Sequence, residues 1–132
     1  MTVSAIDHLN ILTNDLEATA GFYETVLGLT RGESPAAKMG AQGAWMFDNS
    51  GHPLVHIVVK GSLGSYGEEH QPGQPTNAIH HVAFRCAGFA AAKERISALG
   101  LEHQINDGTL GLRQITLKDP NAINVEMNFT DE

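Results

Sequence analysis

Ile79-His80-His81-Val82-Ala83-Phe84 is a short apolar run carrying two histidines, and it has a near copy at the other end of the chain, Ile6-Asp7-His8-Leu9-Asn10-Ile11. His8 and His81 stand 73 positions apart, Gly28 and Gly100 stand 72, Asp48 and Asp119 stand 71, and His56 and Glu126 stand 70. A nearly constant offset across these landmarks marks a duplicated module, because a period this long is too great for a solenoid repeat. The fold is therefore expected to be two copies of one supersecondary unit.

Reading outward from the first copy, a strand over Ile6–Thr13 is followed by Asn14, placed to cap a helix with Glu17 three residues on. Leu16, Ala20, Tyr23 and Leu27 form one apolar stripe at helical spacing, and Gly28 is suited to end that helix in the left-handed conformation. Strands follow around Leu29–Gly32, Ala44–Asp48 and Leu54–Lys60, with Asp48-Asn49-Ser50-Gly51 as a turn. The second copy repeats the order. It has a strand over Ile79–Cys86, a helix over Phe89–Leu99 closed by Gly100, and strands around Leu101–Ile105, Leu112–Leu117 and Ile123–Phe129, the last preceded by Asp119-Pro120-Asn121. The predicted class is α+β: two βαβββ modules, 1–60 and 79–132, within one domain spanning 1–132. Residues 61–78, rich in Gly, Pro, Ser and Gln, are read as a linker in preference to a lid over a site.

Strand side chains alternate between faces. His8 and Asn10 therefore share a face opposite Leu9 and Ile11, and His81, Ala83 and Arg85 share one opposite His80, Val82, Phe84 and Cys86. In the last strand, Asn124, Glu126 and Asn128 form a polar face and Val125, Met127 and Phe129 an apolar one. His56 sits among Leu54, Val55, Ile57 and Val58, where both faces read as buried and a histidine has no obvious structural purpose. A lone strand histidine is more often a satisfied structural residue than a ligand. What raises His8, His56, His81 and Glu126 above that reading is their joint placement, one at each end of each copy. Three imidazoles and a carboxylate are the usual protein ligands of a divalent transition metal. His52, His70 and His103 lie in turn or loop contexts and are given no role; His80 reads as packed or as a support for His81, and Cys86 as a small buried hydrophobe.

At 132 residues the chain is long enough to bury a core without staples, and 42% hydrophobic residues is ordinary for a globular protein. A formal charge of −7 argues against nucleic acid or an anionic membrane as the main partner. One cysteine permits no intrachain disulfide, and the opening Met1-Thr2-Val3-Ser4 has neither a basic nor an apolar leader pattern. The expectation is a cytoplasmic protein acting on a small molecule.

The motifs together resemble the vicinal-oxygen-chelate superfamily, which includes glyoxalase I, extradiol dioxygenases, methylmalonyl-CoA epimerase, and fosfomycin- and bleomycin-resistance proteins. The resemblance rests on His8-Leu9-Asn10-Ile11 through Asp15-Leu16, Phe22-Tyr23 and Leu27-Gly28-Leu29 in the first copy. In the second it rests on His81-Val82-Ala83-Phe84 and on Asp119-Pro120-Asn121 followed by Val125-Glu126. It implies a curved, incomplete mixed β-barrel around a metal site. By position, His8, His81 and Glu126 match the shared ligands, and His56 falls where the family varies: a fourth ligand in bacterial glyoxalase I, a glutamine in epimerases. The implied cofactor is a divalent ion, one of iron, nickel, zinc or manganese. The implied assembly is a homodimer, in some relatives with each site shared between chains.

Three functions follow from the resemblance. With all four side chains as ligands, Glu126 is the base of a glyoxalase-like or epimerase-like lyase or isomerase working through metal-stabilised enolate chemistry. The arginine that bacterial glyoxalase I places four residues after its first histidine is Leu12 here, so the likeness does not extend to glutathione recognition. With only His8, His81 and Glu126 as ligands, the set is the 2-His-1-carboxylate triad of non-haem iron dioxygenases and His56 is the acid/base. The tyrosine that extradiol enzymes carry ten residues before the glutamate is Thr116 here. The third is a drug-binding resistance protein whose cavity draws on Trp45, Phe47 and Tyr66. Asn10, Trp45, Arg85 and Gln114 are the candidate substrate-binding residues, Arg85 for an anionic substrate.

Overall fold

The computed structural model describes residues 1–108 and 111–130. They form two compact units, Met1–Pro72 and Gly73–Glu132, each α+β with one four-stranded mixed sheet and one α-helix. The first unit runs β1 (Leu9–Thr13), α1 (Leu16–Thr25), β2 (Thr30–Gly32), a 3-10 helix (Pro35–Met39), β3 (Gly43–Phe47) and β4 (Pro53–Val59). The second runs β5 (Val82–Cys86), α2 (Phe89–Ala98), β6 (Gln104–Asp107), β7 (Arg113–Lys118) and β8 (Asn124–Phe129). The sheet orders are β1-β4-β3-β2 and β5-β8-β7-β6. In each, the first strand pairs parallel with the last, and the remaining pairs are antiparallel. The βαβββ duplication read from the offsets is the observed architecture.

Alternation sets which face each sheet buries. In β8, Val125, Met127 and Phe129 are buried while Asn124, Glu126 and Asn128 are only half-buried. The apolar faces pack on the helices: Ile11, Val55 and Ile57 with Ala20, Tyr23 and Val26 form the first core, and Phe89 meets Phe129 edge-on at 5.4 Å in the second. Thr13 and Thr19, both buried, satisfy each other through an Oγ1–Oγ1 hydrogen bond of 2.8 Å where β1 passes into α1.

Three local readings are corrected. The cap of α1 is Asp15, not Asn14: the Asp15 carboxylate accepts from the Ala18 amide at 3.0 Å, because Thr13 Oγ1 takes the Asp15 N–H and so places that residue at the helix entrance. The first strand of each unit begins about three residues late, at Leu9 and Val82. The pairing starts at Leu9↔Val55 and Val82↔Val125, near the beginnings of β4 and β8, each of which follows a tight turn. The 3-10 helix was not expected; Ser34 caps it by accepting from the Ala36 amide at 3.2 Å, with Pro35 following the cap.

Those turns are themselves duplicated. The Asp48 carboxylate accepts from the Ser50 and His52 amides, both at 2.9 Å, and Asp119 accepts from the Asn121 and Ile123 amides at 2.8 and 2.9 Å. Gly51 takes the left-handed conformation at φ 85° in the first turn, and Ala122 takes it at φ 66° in the second. Part of the segment read as a linker folds back on the first unit. The Tyr66 hydroxyl donates to Asn10 Oδ1 at 3.3 Å, and a Cβ on Gly67 would lie 2.1 Å from Leu12 Cδ1.

Candidate metal and catalytic site

The first unit brings His8, Asn10, Trp45 and His56 together. Asn10, His56 and Trp45 are direct neighbours across β1, β4 and β3. Trp45 stacks flat on His56, with ring centroids 4.3 Å apart and planes 10° from parallel. His8 stands edge-on to Trp45 at 4.8 Å, and its ring lies 6.3 Å from that of His56. His8 Nδ1 donates to Asp7 Oδ2 at 2.7 Å, since a carboxylate can only accept. In the neutral ring this leaves the lone pair on Nε2, the arrangement a metal-binding imidazole uses. The hydrogen bond from His8, together with the nearby His8 and His52 charges, holds the Asp7 carboxyl below the usual carboxylate range.

His56 is differently placed. The Asn10 amide Nδ2 can only donate, so His56 Nδ1 accepts from it at 3.0 Å. The neutral ring then carries its proton on Nε2, 2.9 Å from Ser34 Oγ. Burial, and secondarily the charge of His8, push the His56 pKa down, so the neutral ring is favoured. Both nitrogens are committed, and the chain Tyr66–Asn10–His56–Ser34 fixes which of them bears hydrogen.

The second unit brings His81 and Glu126 together, with His81 Nε2 3.8 Å from Glu126 Oε2. His80 Nδ1 lies 2.9 Å from His81 Nδ1, one ring donating and the other accepting. The pair borders a cavity of about 600 Å³, whose lining also includes His80, His103, Lys118 and Asn124. His103 Nδ1 donates to its own loop at Leu101 O, 2.7 Å away. Arg85 is exposed, directly across from Asn128, and Gln114 lies between Asn106 and Asn128; neither Arg85 nor Gln114 is part of the cavity lining.

The structure thus joins His8 with His56 and His81 with Glu126, and it sets Asn10 and Trp45 against His56. Sequence reading missed Ser34, Asn128, Lys118 and His103. A signal existed for Ser34, because Ser-Pro after an acidic residue marks a helix start. Asn128 was assigned to the polar face without a role. The donor chemistry fits a divalent metal: two histidines, one of them with Nε2 left free by its Nδ1 bond to Asp7, and a carboxylate. Among the described residues, no three of His, Cys, Asp or Glu gather into a metal cluster.

The sequence model of the Glyoxalase/Bleomycin resistance protein/Dioxygenase superfamily matches residues 5–127. The chain belongs to this superfamily. Similar solved structures include a putative glyoxalase family protein from Bacillus anthracis, at 18% identity and TM-score 0.72, covering 98% of this chain and 97% of that one. Virulence protein STM3117 from Salmonella typhimurium is similar at 19% identity and TM-score 0.68, covering 98% of both chains. The fosfomycin resistance protein FosX from Listeria monocytogenes, complexed with Mn(II) and sulfate, is similar at 17% identity and TM-score 0.67, covering 97% and 93%. At these identities the likeness speaks for the fold. No curated protein matches the chain. Many members of the superfamily are enzymes, and divalent metals are common among them.

Proposed function

We propose that this chain is a divalent-metal-dependent enzyme that takes a small substrate through two adjacent oxygens and moves a proton on it, as a glyoxalase-like or epimerase-like lyase or isomerase. His8, His81 and Glu126 hold the ion; His56, expected as a fourth ligand in this reading, is left out of the set because both of its ring nitrogens are hydrogen-bonded. When bound, the ion supplies Lewis acidity that stabilises negative charge on the substrate oxygens. The observation that carries the proposal is the presence of metal-type donors in both copies, His8 with its Nδ1 held by Asp7 in the first and His81 Nε2 beside the Glu126 carboxylate at 3.8 Å in the second.

The protein's own groups do the proton work. Glu126 is 19% exposed at the edge of a cavity, placed to take a proton from a substrate carbon. His56 holds a proton at Nε2, shared with Ser34, and Trp45 covers one ring face against water. The committed nitrogens of His56 favour a second reading, an extradiol-type iron dioxygenase in which His56 is an acid/base and not a ligand. A homodimer belongs to both readings.

Metal titration with Fe(II), Ni(II), Zn(II) and Mn(II) tests the proposal. It expects about one tightly held ion per chain, strongly weakened in His81→Ala and Glu126→Gln and largely spared in His56→Ala. An inability to hold any of the four ions would overturn it. Deuterium wash-in from solvent, across a panel of small α-oxygenated carbonyl compounds, supports proton transfer. Oxygen consumption with catechols moves the assignment to the second reading.

A further inference from the structure

Three side-chain amides stand in one row across the second sheet. Asn106 faces Gln114 across β6 and β7, and Gln114 faces Asn128 across β7 and β8. The bonds run in one direction. Asn106 Nδ2 donates to Gln114 Oε1 at 3.0 Å, and Gln114 Nε2 donates to Asn128 Oδ1 at 2.9 Å. Asn128 Nδ2 then donates to Glu126 Oε2 at 3.2 Å. Glu126 lies two residues back along β8 on the same face and borders the cavity; the three amides do not.

We infer that the row Asn106–Gln114–Asn128 is a positioning device for the Glu126 carboxylate, with Gln114 the residue that sets its polarity. This rests on Glu126 being a metal-holding or proton-accepting group. A carboxylate only accepts, so its neighbour must offer the amino side of its amide. Asn128 thereby turns its carbonyl toward Gln114, which must answer with its own amino group and turn its carbonyl toward Asn106. The negative charge at one end orders three side chains, and those side chains in return hold one carboxylate oxygen in place. Bonds in such a chain polarise one another. Ligand-orienting partners of this kind are typically worth about 10–100-fold in metal affinity. An ordinary cross-strand polar pairing would stabilise the sheet without caring about direction. The direction separates the two roles.

Gln114→Glu reverses the direction at nearly constant shape. The new carboxylate still accepts from Asn106 but has no proton for Asn128, so the Asn128 amide turns over and presents its carbonyl to Glu126. Gln114→Leu removes the link without reversing it. The full chain and the variants Asn128→Ala, Gln114→Glu, Gln114→Leu and Asn106→Ala are titrated with Mn(II), following free Mn(II) by electron paramagnetic resonance. Side-chain amide signals are followed by nitrogen-15 NMR, and circular dichroism checks that each variant is folded.

Asn128→Ala and Gln114→Glu are expected to weaken Mn(II) binding by about 10-fold or more, Gln114→Leu by less, and Asn106→Ala least. The Asn128 amide protons are expected to be shifted and slow to exchange in the parent, to lose both properties in Glu126→Ala, and to move to different shifts in Gln114→Glu, where they turn toward the introduced carboxylate. Folded variants that all bind Mn(II) like the parent, or an Asn128 amide signal unmoved by those two changes, would refute the positioning role. A parent chain that binds no divalent ion removes the metal reading instead, and the amide signals then decide the row's role by themselves.

Discussion

Gly43 begins β3 directly across from Val58, and a side chain there has no room. A Cβ built on it would lie 2.1 Å from the carbonyl oxygen of Ile57, with Ile57 C at 3.2 Å and Val58 Cα at 3.3 Å. Ordinary contact begins near 3.4 Å, so Gly43→Ala must push β3 from β4 by more than 1 Å at this point. The obstacle is backbone and no rotamer change relieves it. A hydrogen bond stretched from about 2.9 Å by that amount passes out of range. Losing two neighbouring ladder bonds costs about 2 kcal/mol, at about 1 kcal/mol each. Misfit of the strands against the core adds about 1–3 kcal/mol. The expected destabilisation is therefore about 3–5 kcal/mol, read as a shift in the urea midpoint. The same displacement separates Trp45 from His56, whose rings are stacked two residues further along the strand pair. Trp45 is the chain's one tryptophan, so its fluorescence reports the change without a label. A Gly43→Ala protein with the parent's urea midpoint and unchanged Trp45 emission would refute the close strand approach.

Asp119→Ala strips two backbone amides of their acceptor beside a nearly buried side chain, and should cost about 2–3 kcal/mol by chemical denaturation; a loss under about 0.5 kcal/mol would contradict the turn geometry. In the half-buried counterpart, hydrogen bonds from Ser50 and His52 hold the Asp48 carboxyl below its ordinary value of 3.8. Its contribution is thus complete above that value and vanishes as pH falls through the lower folded value. The stability gap between parent and Asp48→Ala should accordingly be full at neutral pH and close in acid. Ser34→Ala removes the acceptor of the His56 Nε2 proton and should free that ring to reorient, seen as a changed His56 imidazole signal in NMR with the fold intact; an unmoved signal would show that Asn10 and Trp45 fix the ring without it.

The duplication was readable because its landmarks are residues that the local backbone demands: glycines that end helices, and aspartates that cap turns by accepting two amides. Such requirements recur at fixed positions whatever the side chains around them do. The polar face of β8 was readable because Asn124, Glu126 and Asn128 alternate with three apolar residues. His56 resisted, because its neighbours Val55, Ile57 and Val58 are all buried and alternation gives no contrast there. Its fate depends on Asn10, Ser34 and Trp45, which lie 46, 22 and 11 positions away in sequence and meet it only when the sheet forms. The amide row was hidden for the same reason, since register across three strands cannot be read from any one of them. The caps at Asn14 and Asp15 show the finer limit, because two adjacent residues can each cap and a side-chain bond from Thr13 makes the choice.

His56 and Glu126 occupy matching strand positions in the two copies, and each receives a hydrogen bond from an asparagine amide, but from different places: Asn10 reaches His56 from the neighbouring β1, and Asn128 reaches Glu126 from two residues along its own strand. The positions that match these donors in the other copy are Ala83 and Val58, which carry no amide side chain. The two copies thus share a backbone plan and have each recruited a separate donor to it. Exchanging the occupant of either position would leave the sheet intact but would call for its own supporting partner.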